Sequence, residues 1–432
     1  MINVPSVVLF AFLVHSMVGL ALFASQSDVG AGEGSVARQV ALILMCLALA
    51  PFVAQRWRQI RALGAKEVPL LLIALWSGIS LSWALAPEVA TRRWMLVLIV
   101  AYLSIGLCAL INDSRRIHLV ALAATGAVMV ANYVTVFALP HVGLSSDARG
   151  TYWIGLQPHK NSAGMVSTLA FIVWLFAWRR FSPSWLMLGG AALWLFFQLQ
   201  TGSRTSQFAL VVTLACTFLL SLDNRHLRRS AIFIVLSICI LALLSIMIGL
   251  LPAESAVALL FGDATFTGRT ALWSFLVSQI HERPLGGVGI GSFWGVNDTS
   301  LFRTAQDDWF SATVQGHNGY LDITVTLGVI GLALCLALLF SPLRSLLGDE
   351  ARIDAGRRVF CAIWVFGLIH NFGESTILRG DSVMWVLLLI SIVILRSGTR
   401  RPAESSMRSI LLRSSLVAGL RAAQARAHRT TA

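Results

Sequence analysis

Five separated stretches of the chain set polar or charged side chains beside long apolar runs: His159-Lys160-Asn161, Ser203-Arg204, Gly268-Arg269, His317-Asn318, and His370-Asn371 followed by Glu374. A polar group in or near hydrocarbon costs several kcal/mol unless it is satisfied, so such groups mark a pathway or a site. Arg204 and Arg269 offer planar donor forks that match phosphate oxygens. Lys160 adds a positive charge. His317 stands at the start of an apolar run read as a helix, where the helix dipole disfavours imidazolium. A neutral imidazole is a competent general base. Cations around one base suit transfer of a group from a phosphate ester to a hydroxyl. The base takes the hydroxyl proton, and the cations stabilise the departing phosphate. No acidic pair at metal-ligand spacing appears, which argues against a divalent ion as the leaving-group clamp. No cofactor motif is present either.

Each of these residues also has a plainer reading. Lys160 and Arg204 can snorkel to an interface. His159 suits a cap or a packing role better than a reactive one. Glu374 could bind sugar, orient His317 or end a helix. Trp153, Trp294 and Trp309 could stack on sugar rings or anchor the interface. His281 and Asp307-Asp308 read as solvated.

The elements that must position these groups are membrane helices. Of the 432 residues 57% are hydrophobic and 12% charged, with a mean hydropathy of +0.77. That is too little charge for a soluble surface of this size. Apolar runs long enough to cross about 30 Å of hydrocarbon recur. A β-barrel would show short alternating segments instead. The predicted fold is all-α: a polytopic bundle of about twelve transmembrane helices with one large periplasmic loop containing short helices. The expected spans are 5–24, 38–54, 68–84, 92–111, 117–139, 162–178, 184–200, 204–221, 230–250, 317–340, 357–373 and 382–395. The first reads as a retained helix, since no basic segment precedes it. The chain divides into helices one to nine (1–250), the loop (251–316), helices ten to twelve (317–395) and a basic tail (396–432). The six cysteines all fall in apolar runs and read as small buried residues.

With twelve spans, the connectors on the side of the termini hold 23 of the 33 Lys and Arg residues. Basic residues near helix ends stay in the cytoplasm, so both termini are expected there and the five polar stretches face the periplasm. The formal charge of +13 belongs to this bias and to a tail that would meet anionic lipid, not nucleic acid. The 251–316 connector is too long for an idle link. It carries a helical stretch from Gly268 to His281, capped by Thr267 and ended by Pro284. The run Gly286-Gly287-Val288-Gly289-Ile290-Gly291 that follows reads as a tight packed turn, or as backbone that contacts a ligand. It does not read as a nucleotide loop. A transporter would also have many helices and buried charges, but no internal repeat is visible and the charges lie near helix ends. A structural or interaction protein is the third reading.

The order of motifs adds a resemblance. Trp153-Ile154-Gly155-Leu156-Gln157-Pro158-His159-Lys160-Asn161-Ser162-Ala163-Gly164 comes first, then Gly202-Ser203-Arg204-Thr205. Gly268-Arg269-Thr270-Ala271-Leu272-Trp273, Pro284-Leu285-Gly286-Gly287-Val288-Gly289, Gly316-His317-Asn318-Gly319-Tyr320-Leu321 and Asn371-Phe372-Gly373-Glu374-Ser375 follow. Over about residues 65–395 the chain resembles the bacterial O-antigen ligase and polymerase superfamily, including exopolysaccharide polymerases. The resemblance implies a metal-independent glycosyltransferase of the inner membrane. It would move a glycan from undecaprenyl diphosphate to an acceptor hydroxyl on the periplasmic face. The acceptor is a sugar of the lipid A core for a ligase, or another lipid-linked glycan for a polymerase. The resemblance assigns the essential histidine to His317 and the essential arginines to Arg204 and Arg269. Lys160, His159, Asn161, Asn318 and Glu374 are the candidate substrate-binding residues.

Overall fold

Helices form where apolar residues run unbroken and end where the chain supplies a cap. Asp113 accepts the backbone N–H of Arg115 at 2.8 Å and starts one helix. Asn112, just before it, takes a left-handed φ of 46° and ends the previous one. The computed structural model describes residues 3–18, 36–64, 67–147, 150–222, 269–296, 314–346, 356–380 and 382–396, with isolated positions between 226 and 233. The helices are α1 (Val4–Val18), α2 (Val36–Gln55), α3 (Trp57–Gly64), α4 (Val68–Ile79), α5 (Pro87–Ile111) and α6 (Ser114–Ala138). Then come α7 (Lys160–Leu175), α8 (Ser184–Gln200), α9 (Arg204–Leu220), α10 (Arg269–Glu282), α11 (Gly319–Leu339), α12 (Arg358–His370) and α13 (Val383–Arg396). A two-stranded antiparallel hairpin, β1 (Leu144–Asp147) and β2 (Gly150–Trp153), joins α6 to α7, with Leu144 opposite Trp153.

The protein is a multi-pass α-helical membrane protein. Four described helices are long and apolar enough to cross a membrane: Ala37–Gln55, Pro87–Ile111, Ser114–Ala138 and Gly319–Leu346. Large apolar side chains such as Leu47, Leu75, Val130, Phe137, Val211 and Phe218 stay exposed, as lipid-facing residues do. Eleven of the twelve expected spans coincide with helices. The ninth, 230–250, lies outside the described residues, as do Thr267, Gly268, Asp307, Asp308, Trp309 and the tail. Several spans are shorter than expected. The eleventh stops at His370 because the chain turns at Asn371–Gly373, and the tenth starts at Gly319 because Asn318 is its cap. The five described cysteines are unpaired, four of them buried.

Helix α11 is broken at Gly328, whose φ is 69°. A break leaves backbone carbonyls without helical partners, which hydrocarbon does not tolerate. The glycine-rich segment after α10 supplies the partners. Val288 and Gly289 N–H donate to Val325 and Thr326 carbonyls at 3.0 and 2.9 Å, and Val329 N–H donates to Pro284 O at 2.8 Å. Trp76 Nε1 donates to Leu327 O at 2.9 Å. A Cβ on Gly328 would lie 1.9 Å from Leu285 O, and one on Gly287 would lie 2.5 Å from the Thr326 carbonyl carbon. The glycines are therefore a packed turn, and they tie the loop to the helix that follows His317. A small core of Leu272, Trp273, Leu276, Phe293, Leu321 and Val325 fills the space between α10 and α11.

Candidate active site

The starts of α7 and α10, the segment leading into α11 and the turn after α12 converge on one carboxylate. Glu374 is buried, 4% exposed, and four donors reach it. Oε1 accepts from Asn161 Nδ2 and Arg269 Nη2, each at 2.8 Å. Oε2 accepts from Gln315 Nε2 at 3.1 Å and lies 3.0 Å from His317 Nδ1. A carboxylate has about four lone-pair sites, and here each oxygen takes two donors. Burial alone would raise the Glu374 pKa. The hydrogen bond and charge of His317, with the charges of Arg269 and His370, outweigh it and hold the pKa at about 2. Glu374 is therefore an anion at any physiological pH.

That anion sets the histidine's tautomer. With Glu374 ionised, His317 Nδ1 carries the hydrogen and donates to Oε2. Arg269 Nη2 and Gln315 Nε2 also approach Nδ1, at 3.5 and 3.3 Å, but both are donors, and the carboxylate is what they serve. In the neutral form of the ring the lone pair is thus on Nε2, and the side chain is 27% exposed. The expectation of a base at a helix start rested on the helix dipole. The structure adds a carboxylate behind the ring.

The histidine's backbone is held as firmly. His317 has a φ of 49°, a left-handed conformation that costs a residue with a side chain about 1–3 kcal/mol. Its neighbours are clamped on both sides. Gly316 N–H donates to both Asp322 oxygens at 3.1 Å, and Trp273 Nε1 donates to Gly316 O at 2.9 Å. Trp294 Nε1 holds Asp322 Oδ1 at 3.0 Å. Asn318 N–H donates to Ser375 Oγ at 3.1 Å, while its side chain accepts Tyr320 and Leu321 N–H at 3.1 and 3.2 Å. Gly319 N–H reaches the Asn371 and Glu374 carbonyls, tying the start of α11 to the turn after α12.

The expected site residues divide into those that meet and those that do not. Arg269, His317, Asn161 and Glu374 are in direct contact. Arg269 is buried, and Nη1 also donates to Gly373 O at 2.7 Å and approaches Thr205 Oγ1 at 3.5 Å. Arg204 precedes Thr205 in the first turn of α9 and is exposed, with no hydrogen-bond or ion-pair partner among the described residues. His159 caps α7, accepting Ser162 N–H at 3.2 Å. Burial lowers its pKa, against the pull of Glu374, and the charges of His317 and Arg379 add to the lowering. Asn318 acts as the cap of α11. Lys160 turns to the hairpin, 2.6 Å from Asp147 Oδ2 and over the Tyr152 ring. Trp153 packs in an aromatic cluster with Tyr133, Phe196 and Phe197. Gln315, Asp322, Ser375 and Arg379 were not singled out from the sequence. Gln315, two residues before His317, and Arg379, in a short connector between apolar runs, carried only position as a signal.

The family profile described as O-antigen ligase matches residues 190–336. Provisionally named polysaccharide ligases of Rickettsia bellii and Rickettsia conorii are each 28% identical over 130 residues. One from Rickettsia felis is 27% identical over 130 residues. These matches cover 29% of this chain and 31–32% of the relatives. Over this segment the chain is similar to the O-antigen ligase family. The aligned part spans about a third of the length of these curated relatives. The O-antigen ligase segment runs from α8 into α11, so it contains Arg204, Arg269 and His317. Glu374 and Asn161, which complete the cluster, lie outside it. Among the described residues no group of three or more His, Cys, Asp and Glu side chains is arranged to hold a metal ion.

Proposed function

We propose that the protein is a glycosyltransferase of the ligase type. It moves a glycan from undecaprenyl diphosphate to a sugar hydroxyl of an acceptor such as the lipid A core, on the periplasmic face. The observation that carries this reading is the His317–Glu374 pair, with a part-exposed imidazole beside Arg269. The names of the relatives support a ligase over other members of the superfamily. In the reaction, the acceptor oxygen attacks the anomeric carbon as its proton passes to His317 Nε2. The bond from that carbon to the diphosphate oxygen breaks, and undecaprenyl diphosphate leaves. Direct displacement inverts the anomeric configuration. Glu374 stabilises the imidazolium that forms and fixes the tautomer beforehand. Arg204 receives charge that develops on the departing diphosphate. Arg269 serves the step through Glu374, because its donors are turned to protein acceptors.

The test is transfer by purified protein from undecaprenyl-diphosphate-linked glycan, with and without a lipid A core acceptor. Product only with the core acceptor supports a ligase. Chain growth without it would identify a polymerase. Glycan crossing a vesicle bilayer with no new glycosidic bond would identify a transporter. His317→Ala is expected to lower transfer by about 100-fold or more, the usual share of a general base. Full transfer by folded H317A protein would end the assignment.

A further inference from the structure

Two amide side chains reach the Glu374 carboxylate, and they are not equally committed. Gln315 Nε2 donates to Oε2 at 3.1 Å, and Gln315 Oε1 accepts Arg379 Nη1 at 3.2 Å. Both ends of that amide are engaged within the protein. Asn161 Nδ2 donates to Oε1 at 2.8 Å. Glu374 is surrounded by donors on both oxygens, with Arg269 Nη2 at 2.8 Å and His317 Nδ1 at 3.0 Å. An ionised carboxylate only accepts, so it meets the nitrogen of the Asn161 amide and not the oxygen. Asn161 Oδ1 is therefore turned away from Glu374. It accepts no hydrogen bond among the described residues, and Asn161 is half-buried, with part of its surface open.

The first turn of α7 holds that oxygen in place. His159 caps the turn on one side of Asn161, and Gly164 on the other packs so closely on the start of α9 that a Cβ would lie 2.4 Å from Ser203 Cβ. The same carboxylate orients His317, whose neutral ring carries its lone pair on Nε2. One buried anion thus turns two hydrogen-bond acceptors outward, Nε2 and Asn161 Oδ1, through hydrogen bonds of 3.0 and 2.8 Å. Two neighbouring acceptors suit a polyol. A hydroxyl has a hydrogen to give to a carbonyl oxygen, whereas an ionised phosphate oxygen has none and is repelled by it. Asn161 and Arg204 therefore differ in the groups they can take, a hydroxyl for the first and a phosphate for the second. An acceptor left without its donor is costly, so such an oxygen selects for the hydroxyl that fills it.

We propose that Asn161 Oδ1 accepts a hydrogen bond from a sugar hydroxyl of the substrate bound at His317, and that this contact selects the sugar. The proposal rests on the glycosyl-transfer reading above. The hydroxyl belongs either to the acceptor glycan or to the donor glycan, and one experiment separates the two. Purified full-length protein in nanodiscs is assayed with undecaprenyl-diphosphate-linked glycan and lipid A core. The assay is repeated with substrates in which one hydroxyl, of the terminal core sugar or of the first donor sugar, is replaced by hydrogen. Asn161→Ala is expected to lower kcat/KM for the intact substrates by about tenfold, the scale of one hydrogen bond. One deoxy substrate should cost the wild type a similar factor and cost the variant nothing further. Such non-additivity marks a direct contact. A matching hydroxyl on the core sugar assigns the contact to the acceptor, and one on the donor sugar assigns it to the donor.

A variant that loses the same factor with the intact and with every deoxy substrate would overturn the proposal, because Asn161 would then act only by holding Glu374. So would a variant with wild-type kcat/KM. Asn161→Gln keeps an amide donor for Glu374 but displaces the oxygen, and it should lose the same discrimination. It provides the test if the alanine variant does not survive purification. Wild-type protein with no transfer from undecaprenyl-diphosphate-linked glycan to any acceptor would sink the glycosyl-transfer reading itself. The hydroxyl contact is then read from calorimetric binding of soluble core oligosaccharide and of free donor glycan, intact and deoxy. The same non-additivity between Asn161→Ala and one hydroxyl should appear there, and its absence would end the proposal.

Discussion

Two buried glutamates face an arginine at 2.8 Å in this protein, and their environments push them in opposite directions. Glu374, after α12, takes four donors from three separate segments, and its pKa falls to about 2. Glu67, before α4, is as deeply buried, and among the described residues its side chain accepts from Arg396 alone. Burial raises its pKa, and Arg396 only partly offsets the rise. At Glu67 one charged partner does not repay the desolvation of the carboxylate, whereas at Glu374 the His317 hydrogen bond and the neighbouring charges do. The first arrangement gives an anion that can polarise a histidine. The second gives a latch between the start of α4 and the end of α13.

The comparison can be broken by mutation. Glu374→Gln should have the largest effect. It removes the acceptor that sets the tautomer of His317 and leaves the Arg269 guanidinium buried without its counter-charge. Transfer should fall by about 100-fold or more, and removing one partner of such a buried pair should cost about 3–5 kcal/mol of stability. A variant with an unchanged rate would show that the pair is structural.

Asp322→Asn should rank second. It weakens the clamp on Gly316 without touching the ring of His317, and a small misplacement of a base costs roughly tenfold to a hundredfold. Donor KM should be unchanged, and Asp322→Glu should recover part of the rate. A rise in KM with normal kcat would place Asp322 in binding instead.

Glu67→Gln should matter least. The linkage signs differ between the two sites. Glu374, with a depressed pKa, contributes stability above its ordinary pKa that is lost only as pH falls through about 2. Glu67, with a raised pKa, contributes stability below its ordinary pKa that is lost as pH rises through the raised one. At neutral pH its ionised form is therefore a cost, and the amide relieves part of it. Thermal unfolding of E67Q at pH 5 and 7.5 should show a smaller shift than that of E374Q, with transfer unchanged. Equal losses at both sites would refute the contrast drawn between them.

Much of the architecture is legible in the sequence. Apolar length predicts helices, because a backbone in hydrocarbon must bond to itself, and eleven of the expected spans are helices. Chemical type alone singles out Arg204, Arg269, His317, Asn161 and Glu374, because ionisable groups beside lipid are costly. What a residue type cannot say is whom it meets. Arg269 and Arg204 read alike in sequence, yet one is buried on a carboxylate and the other is exposed at a helix start. Lys160 and Asn161 are neighbours in the chain, yet one turns to Asp147 and the other to Glu374, since successive helical residues point to different faces. Gln315, Asp322 and Arg379 gained their roles only from contacts across the fold. Sequence determined which segments enter the membrane and which groups carry charge, because both follow from local composition. Tertiary structure decided the tautomer of His317, the ionisation of Glu374 and the partner of each arginine. Those depend on donors brought together from residues 161 to 379, and no local pattern encodes that meeting.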